Sequence, residues 1–197
     1  MGIFKNDMNA KRSVEAERLF RLAFSFERLN TKRSIERAAQ LYGQAARLGH
    51  PEAMFRYFIC CYRGIGLHRN ERRAYDWCQK SAESGYGLAA STMSFYYETG
   101  ENPMRIVDQD RAECWYRKAS ELGDPDAMCS FGTILVERGE VEAGVSLIRQ
   151  SAELGCSFGL LKLGTELVCG SAFWGRDVAT GVDLLFRARD VLFKRLS

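Results

Sequence analysis

Residues 111–123, RAECWYRKASELG, and the run that follows at 124–139, DPDAMCSFGTILVERG, decide how the whole chain reads. In the first stretch a small residue, Ala112, stands three before Trp115, and Gly123 follows Trp115 by eight. That spacing gathers small and large side chains on one stripe of a helix, and glycine stops it because the turn after a helix favours a left-handed backbone. The second stretch opens with Asp124, Pro125 and Asp126. A capping carboxylate, a proline where its missing N–H costs nothing, and an acid facing the helix N-terminus all predict a new helix here. Ala127, Phe131 and Leu135 then recur every fourth residue until Gly139, which predicts about three helical turns.

The same two-part pattern runs through the chain. RAAQLYGQAARLG, RAYDWCQKSAESG and AGVSLIRQSAELG end at Gly49, Gly85 and Gly155, which with Gly123 gives periods of 36, 38 and 32 residues. In each of the four, a small residue (Ala38, Ala74, Ala112, Gly144) precedes a large one (Leu41, Trp77, Trp115, Leu147) by three. After each glycine comes a first-helix pattern anchored on Ala53, Ala89, Ala127 or Gly159, with apolar residues four and eight positions on. Loops then lead to Asn70, Asp108, Glu140 and Asp177, of which Glu140 is the weak N-cap. Each unit is therefore a pair of antiparallel helices, and neither helix buries its stripe alone.

These residues resemble the Sel1-like repeat family, a relative of the tetratricopeptide repeat. Ala127, Phe131, Gly132 and Leu135 match its first helix; Asp108, Ala112, Trp115, Tyr116, Lys118, Ala119, Glu121 and Gly123 match its second. Gly64, Gly66 and Asn70 match its loop, and the resemblance covers about residues 34–190. It implies an all-α fold, an α-solenoid of antiparallel helix pairs wound as a right-handed superhelix. The expected organisation is a flexible N-terminus over 1–12 and a single array over 13–197, with helix pairs at about 13–49, 50–85, 86–123, 124–155 and 156–195. Two places depart from the pattern. The loop between Gly139 and Glu140 is almost deleted, and GENPMRIVD, from Gly100 to Asp108, is two residues longer than GIGLHRN. At the N-terminus Leu19, Leu22, Ala23 and Phe26 form one helical stripe and Phe20 and Phe24 a second, so that helix is expected to pack on two sides. The last helix is expected to run to about Arg195.

Composition narrows the function classes. The 197 residues are 46% hydrophobic and 27% charged, enough apolar content for a core. MGIFKNDMNAKRS at the N-terminus has no apolar signal region, and Asn6 stands where a myristoylation motif needs Ser or Thr. Seven cysteines, an odd number with no C-x-x-C pair, argue against a disulfide framework and against a zinc site. A reducing cytoplasm is the expected location. The net charge of +3 is too small to argue for nucleic acid, although residues 1–50 carry +5 and 101–150 carry −4.

No catalytic constellation, metal site or cofactor motif is expected. Each of the two histidines has a structural role to hand: His50 sits at a helix start, as Asp124 does, and His68 lies in a repeat loop. Nothing around Cys60, Cys61 or Cys78 matches a nucleophile signature. GIGLHRN and GSAFWGRD are glycine-rich but follow no strand and lack the Lys-Ser/Thr of a phosphate loop.

A stripe beside the buried face of the first helices carries the functional expectation. In tetratricopeptide-like arrays it corresponds to the concave, ligand-facing surface. The residues expected to bind a partner there are Phe55, Ile59, Tyr62, Ser91, Phe95, Glu98, Thr133, Leu161 and Thr165. The apolar share of the stripe points to a protein partner or a peptide segment, not to nucleic acid or a membrane, with the oligomeric state open. The expected function is a non-enzymatic protein-binding adaptor or regulator. An immunity-type protein that neutralises a toxin by direct binding is the alternative.

Overall fold

The structure, a computed structural model, describes residues 2–170 and 175–196. Ten α-helices account for all the regular structure among them: α1 (Gly2–Arg28), α2 (Lys32–Arg47), α3 (Pro51–Arg63), α4 (Glu71–Glu83), α5 (Gly87–Thr99), α6 (Gln109–Glu121), α7 (Pro125–Glu137), α8 (Val141–Glu153), α9 (Ser157–Cys169) and α10 (Val178–Leu196). The fold is all-α, built of the helix pairs of a solenoid. Part of the loop GSAFWGRD, residues 171–174, lies outside the described residues.

The chain divides into two compact units, Met1–Asp108 with α1 to α5 and Gln109–Ser197 with α6 to α10. The division falls inside the pair that the sequence reads over 86–123. α1 also takes in residues 2–12, where the sequence predicts a flexible lead, because no glycine or proline interrupts helix from Ile3 to Arg28. It packs through Ala16, Leu19, Phe20 and Ala23, while Leu22 and Phe24 are exposed. The two-sided packing expected of this helix is therefore absent, since a surface helix needs only one apolar face against its neighbour.

Local chemistry explains where the helices start. Thr31 and Ser34 form a reciprocal capping box at α2. Nδ1 of His50 accepts from the Ala53 amide (3.1 Å), Oδ1 of Asp124 from Ala127 (2.8 Å), and Sγ of Cys156 from Gly159 (3.4 Å). Asn70 caps α4, and Glu140 makes no side-chain cap. At the other ends Gly49, Gly85, Gly123 and Gly155 have φ between 81° and 99°, the left-handed turn their spacing predicts.

Four loops of different length end in the same backbone hydrogen bond, from the last loop residue back to the preceding helix. The amides of Asn70, Asp108, Glu140 and Asp177 donate to the carbonyls of Cys61, Tyr97, Leu135 and Leu167, at 2.8 to 3.1 Å. Each acceptor stands eight residues after the anchoring small residue of its first helix. The hydroxyls of Ser81 and Ser151 add a second tie, donating to the Pro51 and Pro125 carbonyls at 2.7 Å.

The first-helix anchors Ala53, Ala89, Ala127 and Gly159 are buried, as are the residues eight positions on. In α4 and α8 the deep position is one residue later than the spacing implies: Cys78 and Ile148 are fully buried, whereas Trp77 and Leu147 are half-buried. In α2 both Leu41 and Tyr42 are buried, and in α6 both Trp115 and Tyr116 are half-buried. Trp77 meets the Tyr57 ring edge-on, and Lys80 and Lys118 lie over Trp77 and Trp115 at 4.8 and 4.9 Å. A tryptophan at the shoulder thus keeps one face for the core and gives the other to a lysine one helical turn on. In unit two, α7 and α8 approach backbone to backbone. A Cβ on Gly132 would lie 2.7 Å from the Gly144 carbonyl oxygen, so a side chain there forces the helices apart.

Candidate protein-interaction site

The predicted site residues fall three to a helix on α3 and α5, in the first unit. Phe55 and Ile59 on α3 are half-buried, and Tyr62 is 37% exposed. On α5, Ser91 is half-buried, Phe95 is 44% exposed and Glu98 is exposed. α3 and α5 meet through aromatic rings: Phe55 packs on Tyr86 with centroids 5.3 Å apart, and Phe58 meets Tyr96 edge-on at 6.4 Å. Phe58 also touches Phe55 and Tyr62. Phe55 is thus partly consumed by packing, while Tyr62 and Phe95 keep much of their surface in solvent.

In the second unit Thr133 lies on α7, with Leu161 and Thr165 on α9. Leu161 is 43% exposed, and Phe158 one turn earlier is more exposed still. The two threonines spend their hydroxyl protons on their own helices: Thr133 donates to the Cys129 carbonyl at 2.9 Å and Thr165 to Leu161 and Lys162. Either hydroxyl retains acceptor capacity only.

At the Tyr62 end of the first set the long loop adds structure that sequence reasoning missed. Asn102 is 1% exposed and carries four hydrogen bonds. Its amide donates to the carbonyls of Tyr96 (2.8 Å) and Ile106 (2.7 Å), and its Oδ1 accepts from the amides of Met104 (3.1 Å) and Ile106 (3.2 Å). The loop so folded exposes Met104, Ile106 and Val107 and holds Arg105 at φ 54°, a left-handed conformation unusual outside glycine. A cavity of about 220 Å³ lies between Tyr62, Arg69, Tyr96, Asn102 and Arg105. The guanidinium of Arg69 sits over the Tyr62 ring at 5.8 Å and also pairs with Glu71. The only sequence signal for this arrangement is the two extra loop residues.

His50, Cys60, Cys61 and Cys78 take structural places. His50 stacks on Phe20 (4.4 Å) and pairs through Nε2 with Glu17 at 2.9 Å, besides capping α3. That hydrogen bond and then Arg21 hold the Glu17 carboxyl below the usual carboxylate range. Cys60, Cys61 and Cys78 are buried, and burial pushes all three thiols up, Cys60 to about 12. A thiol so far from ionising is a poor nucleophile at neutral pH. No group of three or more His, Cys, Asp or Glu among the described residues could hold a metal, and no helix there is long and apolar enough to cross a membrane.

Comparison with known proteins bears on the same elements. The chitin synthase regulator SKT5 of Malassezia restricta is 27% identical over 114 residues, 56% of this chain and 8% of that protein. This chain thus spans less than a tenth of that relative. Among solved structures, a Sel1 repeat protein from Oxalobacter formigenes superposes with a TM-score of 0.68 and 25% identity, over 83% of this chain and 49% of the other. The immunity protein Pa5087 of Pseudomonas aeruginosa shares the fold at 19% identity, with a TM-score of 0.58 over 88% of this chain and 64% of its own. The Sel1 repeat pattern itself matches residues 17–50, 51–86 and 86–124, more than half the chain. The first match takes in α1 from Glu17 onward as the first helix of a repeat. With three successive matches on helix pairs of the expected geometry, the chain belongs to the Sel1 repeat family.

Proposed function

We propose that this chain is a non-enzymatic adaptor or regulator that binds another protein through the stripe beside the buried face of its first helices. The observation that carries the reading is the solvent exposure of Tyr62, whose ring packs on Phe58, and of Phe95 on α5. Aromatic side chains held by their neighbours offer large contact area at little cost in conformational entropy, which is what binding anchors require. The Sel1 repeats and the regulator name of the matched relative support the same reading. Leu161 in the second unit extends the reading to α9. Thr133 and Thr165 serve there as acceptors.

The test is affinity capture with the full chain as bait, alongside Phe55→Glu combined with Phe95→Glu. Proteins retained by the unsubstituted chain are expected to be lost from the double variant, with the helical circular dichroism signal unchanged. Retention of the same proteins by a folded double variant would remove the stripe as the binding surface.

A further inference from the structure

On α2, Gln40, Gly43, Gln44 and Arg47 stand at i, i+3, i+4 and i+7 and share one face. That face, Tyr57 of α3 and Arg73 in the first turn of α4 enclose an open cavity of about 340 Å³, and no carboxylate lines it. Gly43 packs directly against the Tyr57 ring, where a Cβ would come within 2.9 Å of Cε2. Arg73 is fixed by its stack over the Tyr57 ring, 5.1 Å from the centroid. The Gln40 side chain accepts from Arg37 through Oε1, which leaves its NH₂ to donate elsewhere.

Arg21, Arg56 and Arg69 of the same unit each pair with a carboxylate, whereas Arg47 and Arg73, like Arg63 and Arg72, are in no ion pair among the described residues; of these four only Arg47 and Arg73 line the cavity. Burial pushes the Tyr57 phenol up, and the Arg73 and Arg47 charges act on it in the opposite sense. Two like charges facing one cavity repel, and a ligand that relieves the repulsion must neutralise both. A carboxylate brings one negative charge, while a phosphate monoester brings up to two and three acceptor oxygens suited to guanidinium forks. We propose that this cavity is a binding site for a phosphate monoester group, held by Arg47 and Arg73 with the amides of Gln40 and Gln44. The cavity is larger than a phosphate group alone requires, which leaves room for the esterified moiety. None of these residues belongs to the apolar stripe, so this site and the adaptor reading stand or fall separately.

The experiment is a titration of the ¹⁵N-labelled full chain, at constant ionic strength, with inorganic phosphate, phenyl phosphate and acetate. Phenyl phosphate is expected to give saturable shifts in the Gly43 and Gln44 amides and in the Arg47 and Arg73 Nε signals, with acetate weaker by about tenfold or more. Arg47→Gln with Arg73→Gln should lose at least about tenfold in affinity, while Arg28→Gln with Arg33→Gln, an equal change in net charge at exposed positions, should not. Should the first pair unfold, Arg47→Gln alone keeps the Arg73 stack and is expected to weaken binding several-fold. A phosphoserine peptide that binds more tightly than phenyl phosphate assigns the group to a protein side chain, and the reverse order assigns it to a small organic phosphate. Either order supports the site. Shifts that never saturate, an equal response to acetate, or an equal loss in the Arg28/Arg33 control would overturn it.

Discussion

Replacing Asn102 with alanine tests whether one buried amide shapes the long loop beside the candidate site. The substitution removes four hydrogen bonds at once and leaves the Tyr96 carbonyl with the Gly100 amide as its donor. At a net value of about 1 kcal/mol per bond the gross loss is about 4 kcal/mol. Residues 103–107 are exposed, so water can recover part of the loss at Met104 and Ile106. The expected destabilisation is about 2–3 kcal/mol, which for a cooperative unit of roughly a hundred residues lowers the melting temperature by about 8–12 °C. Circular dichroism melting measures that, and amide exchange at Met104 and Ile106 should accelerate. Asn102→Asp sharpens the test because a carboxylate keeps the acceptor but loses both donors. At neutral pH it places a charge against two carbonyls and should be worse than alanine, with the deficit shrinking as acid protonates it. A melting temperature within about 1 °C of the unsubstituted chain, with unchanged exchange in the loop, would refute the organising role of Asn102.

Two further outcomes follow from the packing and from the paired charges. Gly144→Ala looks harmless by sequence, since the equivalent positions are Ala38, Ala74 and Ala112, but a Cβ there would meet Cγ2 of Val136 at 2.7 Å and the Gly132 carbonyl. It should destabilise the second unit by about 1–3 kcal/mol in a denaturant titration, and an unchanged midpoint would show that α7 and α8 are not in such close approach. For Glu17, the folded carboxyl is depressed, so its stabilisation is present above its unfolded pKa of about 4.3 and lost as pH falls through the folded value. The melting-temperature gap between the unsubstituted chain and Glu17→Gln should therefore close between pH 5 and pH 3, and a gap constant over that range would contradict the His50 and Arg21 pairing.

The helix pairs were legible in the sequence because their signals are local and recur. A capping residue, a small anchor every fourth position and a terminal glycine each act within one or two turns, and repetition makes the register unambiguous. What escaped depends on contacts that spacing alone does not encode. Trp77 and Trp115 read as core because they are large and periodic, yet Cys78 one position later takes the deep site beside Trp77, and each tryptophan shares a face with lysine. Leu22 and Phe24 read as a packed pair of stripes, although α1 offers only one side to its neighbours. Asn102 gave no signal beyond an over-long loop, since an asparagine is as common on a solvated turn as inside one.

The invariant hydrogen bond from the loop's last amide to the first helix explains why such irregular loops are tolerated. Loop length changes several-fold between Gly139–Glu140 and Gly100–Asp108, yet the Leu135 and Tyr97 carbonyls each receive the same donor at 2.9 Å. The end of each loop is therefore tied to the helix before it, and in the long loop buried Asn102 holds the backbone while residues 103–107 are released from any duty to the core. That freedom lets residues 103–107 expose Met104, Ile106 and Val107 and hold Arg105 in an unusual conformation without disturbing α5. It also separates two chemistries within the first unit. Rings borne on α3 and α5 border the long loop, whereas Arg47 of α2 and Arg73 of α4 line a cavity with Tyr57 beside a loop of family-typical length. Repetition sets the frame, and chemical individuality collects where the repeat is released from closing it.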